Sequence, residues 1–198
     1  MKKIIIFLAV MAVIGSCKKG ENDPFISLKS RKARIAGEWV LSTSEIVTTS
    51  SGDVSTTKFN NGSVTIISAG GSSTGIGSGT LTIDKDGTYK SQTSYTITGT
   101  GYSSSYSETV EGTWQFMDGD KDEDIKNRER VLIHITQRTV ISGGKSDVYT
   151  YSGTTGGSIE IFMIDQLKSK EMIINYDESY THDGYISSTK GTSTYIIE

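Results

Sequence analysis

The stretch GTLTIDKDGTY, residues 79–89, decides the fold class of this chain. Apolar and polar side chains alternate through Leu81 and Ile83, which is the period of a β-strand with one buried face. Asp86-Gly87 comes next, and this dipeptide favours the tight turn of a β-hairpin. The stretch therefore predicts two antiparallel strands joined by a short turn.

The same pattern recurs along most of the chain. Alternating apolar positions lie at Tyr95 and Ile97, from Val110 to Phe116, from Val131 to Ile135, from Ile159 to Met163, from Met172 to Tyr176, and at Tyr195 and Ile197. Turn dipeptides separate these segments at Ser51-Gly52, Asn61-Gly62, Gly143-Gly144, Gly156-Gly157 and Asp183-Gly184. The intervals are too short for the crossover helices of a parallel sheet.

We therefore predict an all-β fold, an antiparallel up-and-down β-barrel of about eight strands, because closure removes exposed strand edges. Two stretches rich in Gly, Ser and Tyr, Ser68 to Gly79 and Thr98 to Ser107, fit either loops or twisted strand ends. A short helix over Phe25 to Ala36 precedes the barrel, with Ser27 as its N-cap and Gly37 as its stop.

Composition excludes some classes of protein. The 198 residues contain one Cys and one Pro, so no intrachain disulfide can form. The formal charge is −3, and loss of Lys2 and Lys3 would leave 18 basic against 23 acidic residues, or −5. This balance disfavours nucleic acid as a partner.

The N-terminus resembles the export signal of bacterial lipoproteins. Lys2 and Lys3 precede an apolar run from Ile4 to Ile14, which is too short to span a bilayer. The sequence IGSC, residues 14–17, resembles a lipobox, in which the cysteine receives fatty acyl chains such as palmitate. The resemblance implies a signal peptide at 1–16, lipidated Cys17 with a tether at 17–24, and a barrel domain at 25–198.

Basic residues follow the predicted tether. Lys29, Arg31, Lys32 and Arg34 form either a patch that touches lipid phosphates or the solvated face of a short helix.

Gly37-Glu38-Trp39 resembles the Gly-x-Trp motif that opens the first strand of lipocalins. Residues 79–89, 111–116 and 164–174 are also similar to lipocalin-like lipoproteins of Bacteroidota. The resemblance implies a Trp39 that packs at the closed end of the barrel beneath the helix. Lys18 directly after the cysteine, with Glu21 and Asp23 nearby, resembles the export signals of Bacteroidota lipoproteins, which implies an outer-membrane location on the periplasmic face or the cell surface. The chain lacks a Thr-Asp-Tyr motif and an arginine in Thr192 to Glu198, so architecture is implied more than ligand transport.

Carboxylates at Asp118, Asp120, Asp122 and Glu129 occupy positions one, three, five and twelve of an EF-hand calcium loop, with Asp124 beside them. Position six is Glu123 where that loop needs glycine, and the flanks are strands. Calcium and a solvated charged hairpin loop remain the two interpretations.

No catalytic constellation stands out. The sequence GSSTG, residues 71–75, lacks the strand, helix and histidine context of a nucleophile elbow. His134 and His182 lack the spacing of zinc ligands, and GIGSG, residues 75–79, lacks the helix of a dinucleotide loop. We expect a protein that is not an enzyme and that has no cofactor.

Aromatic side chains either line a cavity or fill the barrel. The candidates are Tyr89, Tyr95, Trp114, Phe116, Tyr149, Tyr151 and Tyr176. A cavity predicts a membrane-tethered protein that binds a small hydrophobic ligand. A filled barrel predicts a structural or interaction protein that contacts another envelope protein or a polysaccharide through its loops.

Overall fold

A computed structural model describes residues 22–24, 29–99, 102–151, 158–182 and 185–198. Cys17 and the turns Gly156-Gly157 and Asp183-Gly184 lie outside these described residues. Within these residues, one helix and eleven strands follow in chain order: α1 Arg31–Ile35, β1 Gly37–Ser50, β2 Asp53–Asn60, β3 Ser63–Ser68, β4 Gly71–Ile83, β5 Thr88–Gly99, β6 Tyr102–Phe116, β7 Arg130–Ser142, β8 Lys145–Thr150, β9 Ser158–Leu167, β10 Glu171–His182 and β11 Tyr185–Ile196. About three quarters of the described residues are in strands, which confirms the all-β class.

The strands form a closed antiparallel barrel, as predicted. Eight strands close the ring at one end, where β1 pairs directly with β4 through Trp39 and Leu81. Farther along β1, toward its end at Ser50, the β2–β3 hairpin inserts between β1 and β4, so the ring there holds ten strands. Strand β8 pairs with the second half of β7, from Gln137 to Ser142. The inserted hairpin explains why the expected count of about eight is slightly low.

Three hairpins use the turns that their sequences favour. Backbone φ is positive at both turn residues of Ser51-Gly52, Asn61-Gly62 and Gly143-Gly144, at 50° and 91°, 45° and 85°, and 56° and 81°. Two successive positive φ angles give the type I′ twist that matches paired strands. Ser68 to Gly79 belongs to β3 and β4 apart from the turn at Ala69-Gly70, and the described residues of Thr98 to Ser107 belong to β5 and β6, so both stretches are strands.

The base of the barrel is the end at which β1 begins and β4 ends, and the mouth is the opposite end. Short helix α1 lies at the base. Ser30 caps it by accepting a hydrogen bond from the backbone N–H of Ala33. The predicted helix is thus too long, and its N-cap is Ser30; Ser27 lies outside the described residues.

The apolar core occupies the lower half of the barrel, next to the base. Trp39 is fully buried there and donates from Nε1 to the backbone oxygen of Ile35 in the helix, at 2.8 Å. The same core includes Ile35, Leu81, Ile83, Tyr89, Val110, Trp114, Val131, Ile133, Ile135, Phe162, Ile164, Leu167, Met172 and Ile174. The side chain of Trp39 therefore joins the helix to the sheet.

Strand β9 faces the opposite way from the expectation. Ile159 is 57% exposed and Ile161 is 38% exposed, whereas Phe162 and Ile164 are buried. The pairing of Val131 with Phe162 places Phe162 inside the barrel. The predicted buried face, Ile159 to Met163 in alternation, is therefore wrong.

A buried ion-pair cluster closes the base. Asp23 Oδ2 accepts hydrogen bonds from Arg31 Nη1 at 2.7 Å and Arg34 Nη2 at 2.9 Å, and Asp23 Oδ1 accepts one from the backbone N–H of Leu167 at 2.9 Å. All three charged side chains are at most 1% exposed. Burial lowers the pKa of Arg31, and the carboxylate of Asp23 opposes this shift.

The cluster changes two interpretations of the sequence. Arg31 and Arg34 are too buried to form a basic patch against lipid phosphates, and Lys32 instead lies over the Trp114 ring at 5.9 Å. Asp23 belongs to the predicted tether at 17–24, yet its carboxylate is anchored to the barrel.

Candidate functional site

Three of the predicted cavity residues pack in the lower core. Trp114 is 6% exposed and donates from Nε1 to the backbone oxygen of Asp84 at 2.7 Å. Phe116 meets it edge to face, with ring centroids 5.4 Å apart, and Tyr89 is 7% exposed. These aromatic side chains fill the space above the base.

The other predicted aromatic residues lie higher in the barrel. Tyr95 stacks on Tyr106 with ring centroids 5.1 Å apart. Tyr151 and Tyr176 are partly buried against the core, whereas Tyr149 is half-exposed on β8. Of the seven predicted residues, Tyr176 lines the cavity inside the barrel.

That cavity has a volume of about 220 Å³. Its lining residues all face inward, and they are Leu41, Ser44, Ile46, Phe59, Thr93, Tyr176, Thr189, Ser193 and Tyr195. The volume lies below the range of about 300–1,000 Å³ that is usual for drug-sized ligands. Only a small molecule fits.

Glycines on β4 make room for the side chains around this cavity. A Cβ atom at Gly77 would lie 2.7 Å from the Phe59 ring, and one at Gly79 would lie 2.9 Å from Leu41. In the segment GIGSG, residues 75–79, the three glycines thus face the interior, whereas Ile76 and Ser78 face outward. The segment GSSTG at 71–75 belongs to the same strand, which pairs with β3.

Hydroxyl groups form a network on one side of the cavity. Ser44 and Ser193 are buried and share a hydrogen bond of 2.8 Å between their Oγ atoms. Burial raises the pKa of Tyr176 and Tyr195, and the two phenols share a hydrogen bond. Both phenols stay neutral near pH 7, so they supply hydrogen-bond donors to the interior.

Charged side chains lie on strands next to those that line the cavity. Arg138 lies between Glu108, whose Oε1 is 3.1 Å from Arg138 Nε, and Glu160, which accepts a hydrogen bond from Nη2. Glu108 is the cross-strand partner of Thr93, and Glu178 is the partner of Thr189. Because Thr93 and Thr189 line the cavity, we define Glu108, Arg138, Glu160 and Glu178 as the charged ring beside it.

In the charged ring, the surroundings stabilise the charge of Arg138 and destabilise the charge of Glu178. Burial lowers the pKa of Arg138, but the carboxylates of Glu160 and Glu108 outweigh it, so the pKa is raised. Burial and the like charge of Glu160 raise the pKa of Glu178, although the backbone N–H of Ile161 and the guanidinium of Arg138 oppose the shift. With all groups ionised, three carboxylates face one guanidinium.

A second opening leads to this region through the barrel wall. Strand β10 pairs with β11 along its whole length, but it pairs with β9 only from Met172 to Asn175. Beyond Asn175, toward the mouth, β9 and β10 are separated. A groove of about 1,030 Å³ lies along the separation, lined by Ile159, Ile161 and Glu178 among others. Thr189 lines both the groove and the inner cavity.

The predicted calcium loop does not gather its carboxylates. The Asp120 carboxylate accepts a hydrogen bond from the backbone N–H of Asp122, and the Glu129 carboxylate accepts one from the backbone N–H of Lys126. The carboxylates of Asp120 and Glu123 also lie within 4.0 Å of the Arg130 guanidinium. No three His, Cys, Asp or Glu side chains could hold a metal ion in the part of the chain that the structure describes. The calcium interpretation, which also involves Asp118 and Asp124, therefore has no geometric support among the described residues.

Among the described residues, no helix is long and apolar enough to cross a membrane. A comparison of the chain with models of known protein families gives no match, and a comparison with curated proteins also gives none. The resemblance to lipocalin-like lipoproteins therefore stays a prediction from the sequence.

Proposed function

We propose that this chain is a lipid-anchored protein of the outer membrane whose barrel binds a small molecule without catalysing a reaction. The sequence IGSC at 14–17 supports acylation of Cys17, and the closed barrel supports a binding role. The observation that carries the binding function is the inner cavity of about 220 Å³ with both apolar and hydroxyl side chains in its lining.

The lining favours an amphipathic ligand over a purely hydrophobic one. Leu41, Ile46 and Phe59 offer an apolar wall, while Tyr176 and Ser193 offer hydroxyl groups. A ligand with only apolar groups would leave these hydroxyls without a new partner, whereas a polar group on the ligand could accept or donate hydrogen bonds. We expect a compact molecule with an apolar body and one polar end directed toward the charged ring.

Native mass spectrometry tests the binding function directly. The acylated full chain would be extracted gently from its own host and compared with the Thr93→Leu variant, which narrows the cavity and replaces one of its hydroxyl groups with an apolar group. Thr98→Leu on the outer face of the same strand is the matched control. We expect a co-purifying small mass in the wild type and in Thr98→Leu, and its loss in Thr93→Leu.

The alternative function is a structural or interaction protein that contacts another envelope protein or a polysaccharide. Exposed aliphatic side chains on the outer surface favour it, since Val54, Ile76, Val148 and Ile186 are 51–72% exposed. An unliganded mass for the wild type, under conditions that preserve a known barrel–ligand complex, would refute the binding proposal. Cross-linking to an envelope component in the host would then support the alternative.

The anchor has its own test. Mass analysis of the N-terminal peptide should find acyl chains on Cys17, and Cys17→Ser should release the protein from the membrane fraction. An unmodified Cys17 would refute the anchor and would leave the proposed cavity untouched.

A further inference from the structure

We infer that the barrel is held with its base toward the membrane and its mouth toward the aqueous phase, so that ligand enters from the water. This inference rests on the proposed lipid anchor at Cys17. The observation behind it is the buried cluster of Asp23, Arg31 and Arg34, which fixes the chain to the base only six residues after the anchor.

The attachment at Asp23 is firm. Its carboxylate binds two guanidinium groups and the backbone N–H of Leu167, where β9 ends at the base. Arg34 Nη1 also donates to the backbone oxygen of Leu167 at 2.6 Å. Removing one partner of a buried ion pair leaves an uncompensated charge, so the cluster resists opening.

Chain length then excludes one orientation. Six residues extend at most about 20 Å, because each contributes about 3.3–3.6 Å. Along β1, the eleven steps from Trp39 to Ser50 rise about 3.3 Å each, which gives about 28 Å of height at a strand tilt near 40°. A barrel with its mouth on the bilayer would need a tether longer than its own height. The mouth therefore faces water.

This orientation has a consequence for the proposed ligand. A molecule dissolved in the bilayer could not pass directly from the lipid into the mouth. Glu108 and Glu178 are the cross-strand partners of Thr93 and Thr189, which line the cavity, so a ligand that enters from the water comes to lie beside these carboxylates. The ligand source is thus the aqueous space of the envelope.

Fluorescence quenching on vesicles tests the orientation. Cys17 is the single cysteine of the chain, and its acylated sulfur does not react with thiol probes. Ser169→Cys at the base and Ala69→Cys at the mouth are both exposed turn positions and would each carry one fluorophore. The acylated proteins would be added to phosphatidylethanolamine and phosphatidylglycerol vesicles that carry a quencher on the lipid headgroup.

We expect several-fold stronger quenching of the Ser169→Cys reporter than of the Ala69→Cys reporter. A flexible Gly/Ser insertion between Gly20 and Glu21, long enough to exceed the barrel height, should reduce that difference while leaving Asp23 and the fold intact. Equal quenching at both positions, or stronger quenching at the mouth, would overturn the orientation. Failure of the acylated protein to bind vesicles would instead remove the anchor, and the orientation with it.

Discussion

Replacing Asp23 by alanine should destabilise the protein far more than a typical Asp→Ala change. The side chains of Arg31 and Arg34 are at most 1% exposed, and both would lose the carboxylate that they contact. Breaking a buried ion pair in this way costs about 3–5 kcal/mol. The backbone N–H of Leu167 would also lose its acceptor, which costs about 1–3 kcal/mol. Because one carboxylate serves all three donors, the costs overlap, and we expect a total of about 4–6 kcal/mol.

Such a loss is a large part of the roughly 5–15 kcal/mol that stabilises a typical domain. At about 2–4 °C per kcal/mol for a domain of this size, Tm should fall by about 10–20 °C. The matched control is Asp177→Ala, whose ion pair with Lys190 spans 3.0 Å with both side chains more than 60% exposed. Exposed pairs contribute about 0–1 kcal/mol, so the control should unfold almost like the wild type.

Urea unfolding followed by tryptophan fluorescence measures both variants, because Trp39 and Trp114 are buried in the lower core. The chain from residue 17, with Cys17→Ser, avoids the acyl groups. Arg31→Met should lower the free energy of unfolding less in the Asp23→Ala background than in the wild type, because the charge of Arg31 has already lost the Asp23 carboxylate there. The reasoning would be refuted if Asp23→Ala cost no more than Asp177→Ala, or if the double variant showed simple additivity.

Three further predictions concern the turns and the upper interior. Gly62→Ala should cost more than about 1 kcal/mol because φ is +85° there, whereas Gly70→Ala, with no close neighbour and no positive φ, should be nearly neutral in the same urea assay. Burial and the carboxylate of Glu108 raise the pKa of Tyr106 to about 12. Between pH 10 and 12 the unfolded chain therefore loses this proton before the folded protein does, and the free energy of unfolding falls as the pH rises. Tyr106→Phe should make that fall less steep. The raised pKa of Glu178 means that its ionisation disfavours the folded state, so Glu178→Gln should raise Tm at pH 7, and an unchanged or lower Tm would contradict this.

The barrel itself could be predicted because its signals are local. Asn61-Gly62 encodes a turn with two positive φ angles, and the alternation of Leu81 and Ile83 encodes one buried face. Each of these signals acts over a few residues and needs no knowledge of partners. The resulting class, antiparallel and all-β, is confirmed.

The charged ring escaped prediction because a bulge changes which side chains face inward. Alternation from Val131 through Ile135 would place Gln137 inside, but the pairing slips between Glu111 and Gly112, so Thr136 is extra and Arg138 faces the interior. A β-bulge shifts the phase of alternation, and composition alone does not mark its position. On β9, the three apolar residues Ile159, Ile161 and Met163 suggested the wrong face, which hid Glu160.

The base cluster escaped prediction for a different reason. Asp23 and Leu167 are 144 residues apart, and no local pattern links a polar segment near the N-terminus to the end of β9. A carboxylate among polar neighbours has the composition of a tether. Only the tertiary contact with Arg31 and Arg34 reveals that it is part of the folded base.

The core near the base and the region around the cavity differ in the kind of side chain that faces inward, and this difference supports the proposed binding site. Below the cavity, Trp39, Ile133 and Met172 fill the barrel with fully buried apolar groups. Beside the cavity, burial and the like charge of Glu160 raise the pKa of Glu178. Stability alone would favour apolar side chains at these inward positions. Natural sequences break such rules mainly at functional or strained sites, so the charged ring and the cavity beside it are the place to seek the ligand.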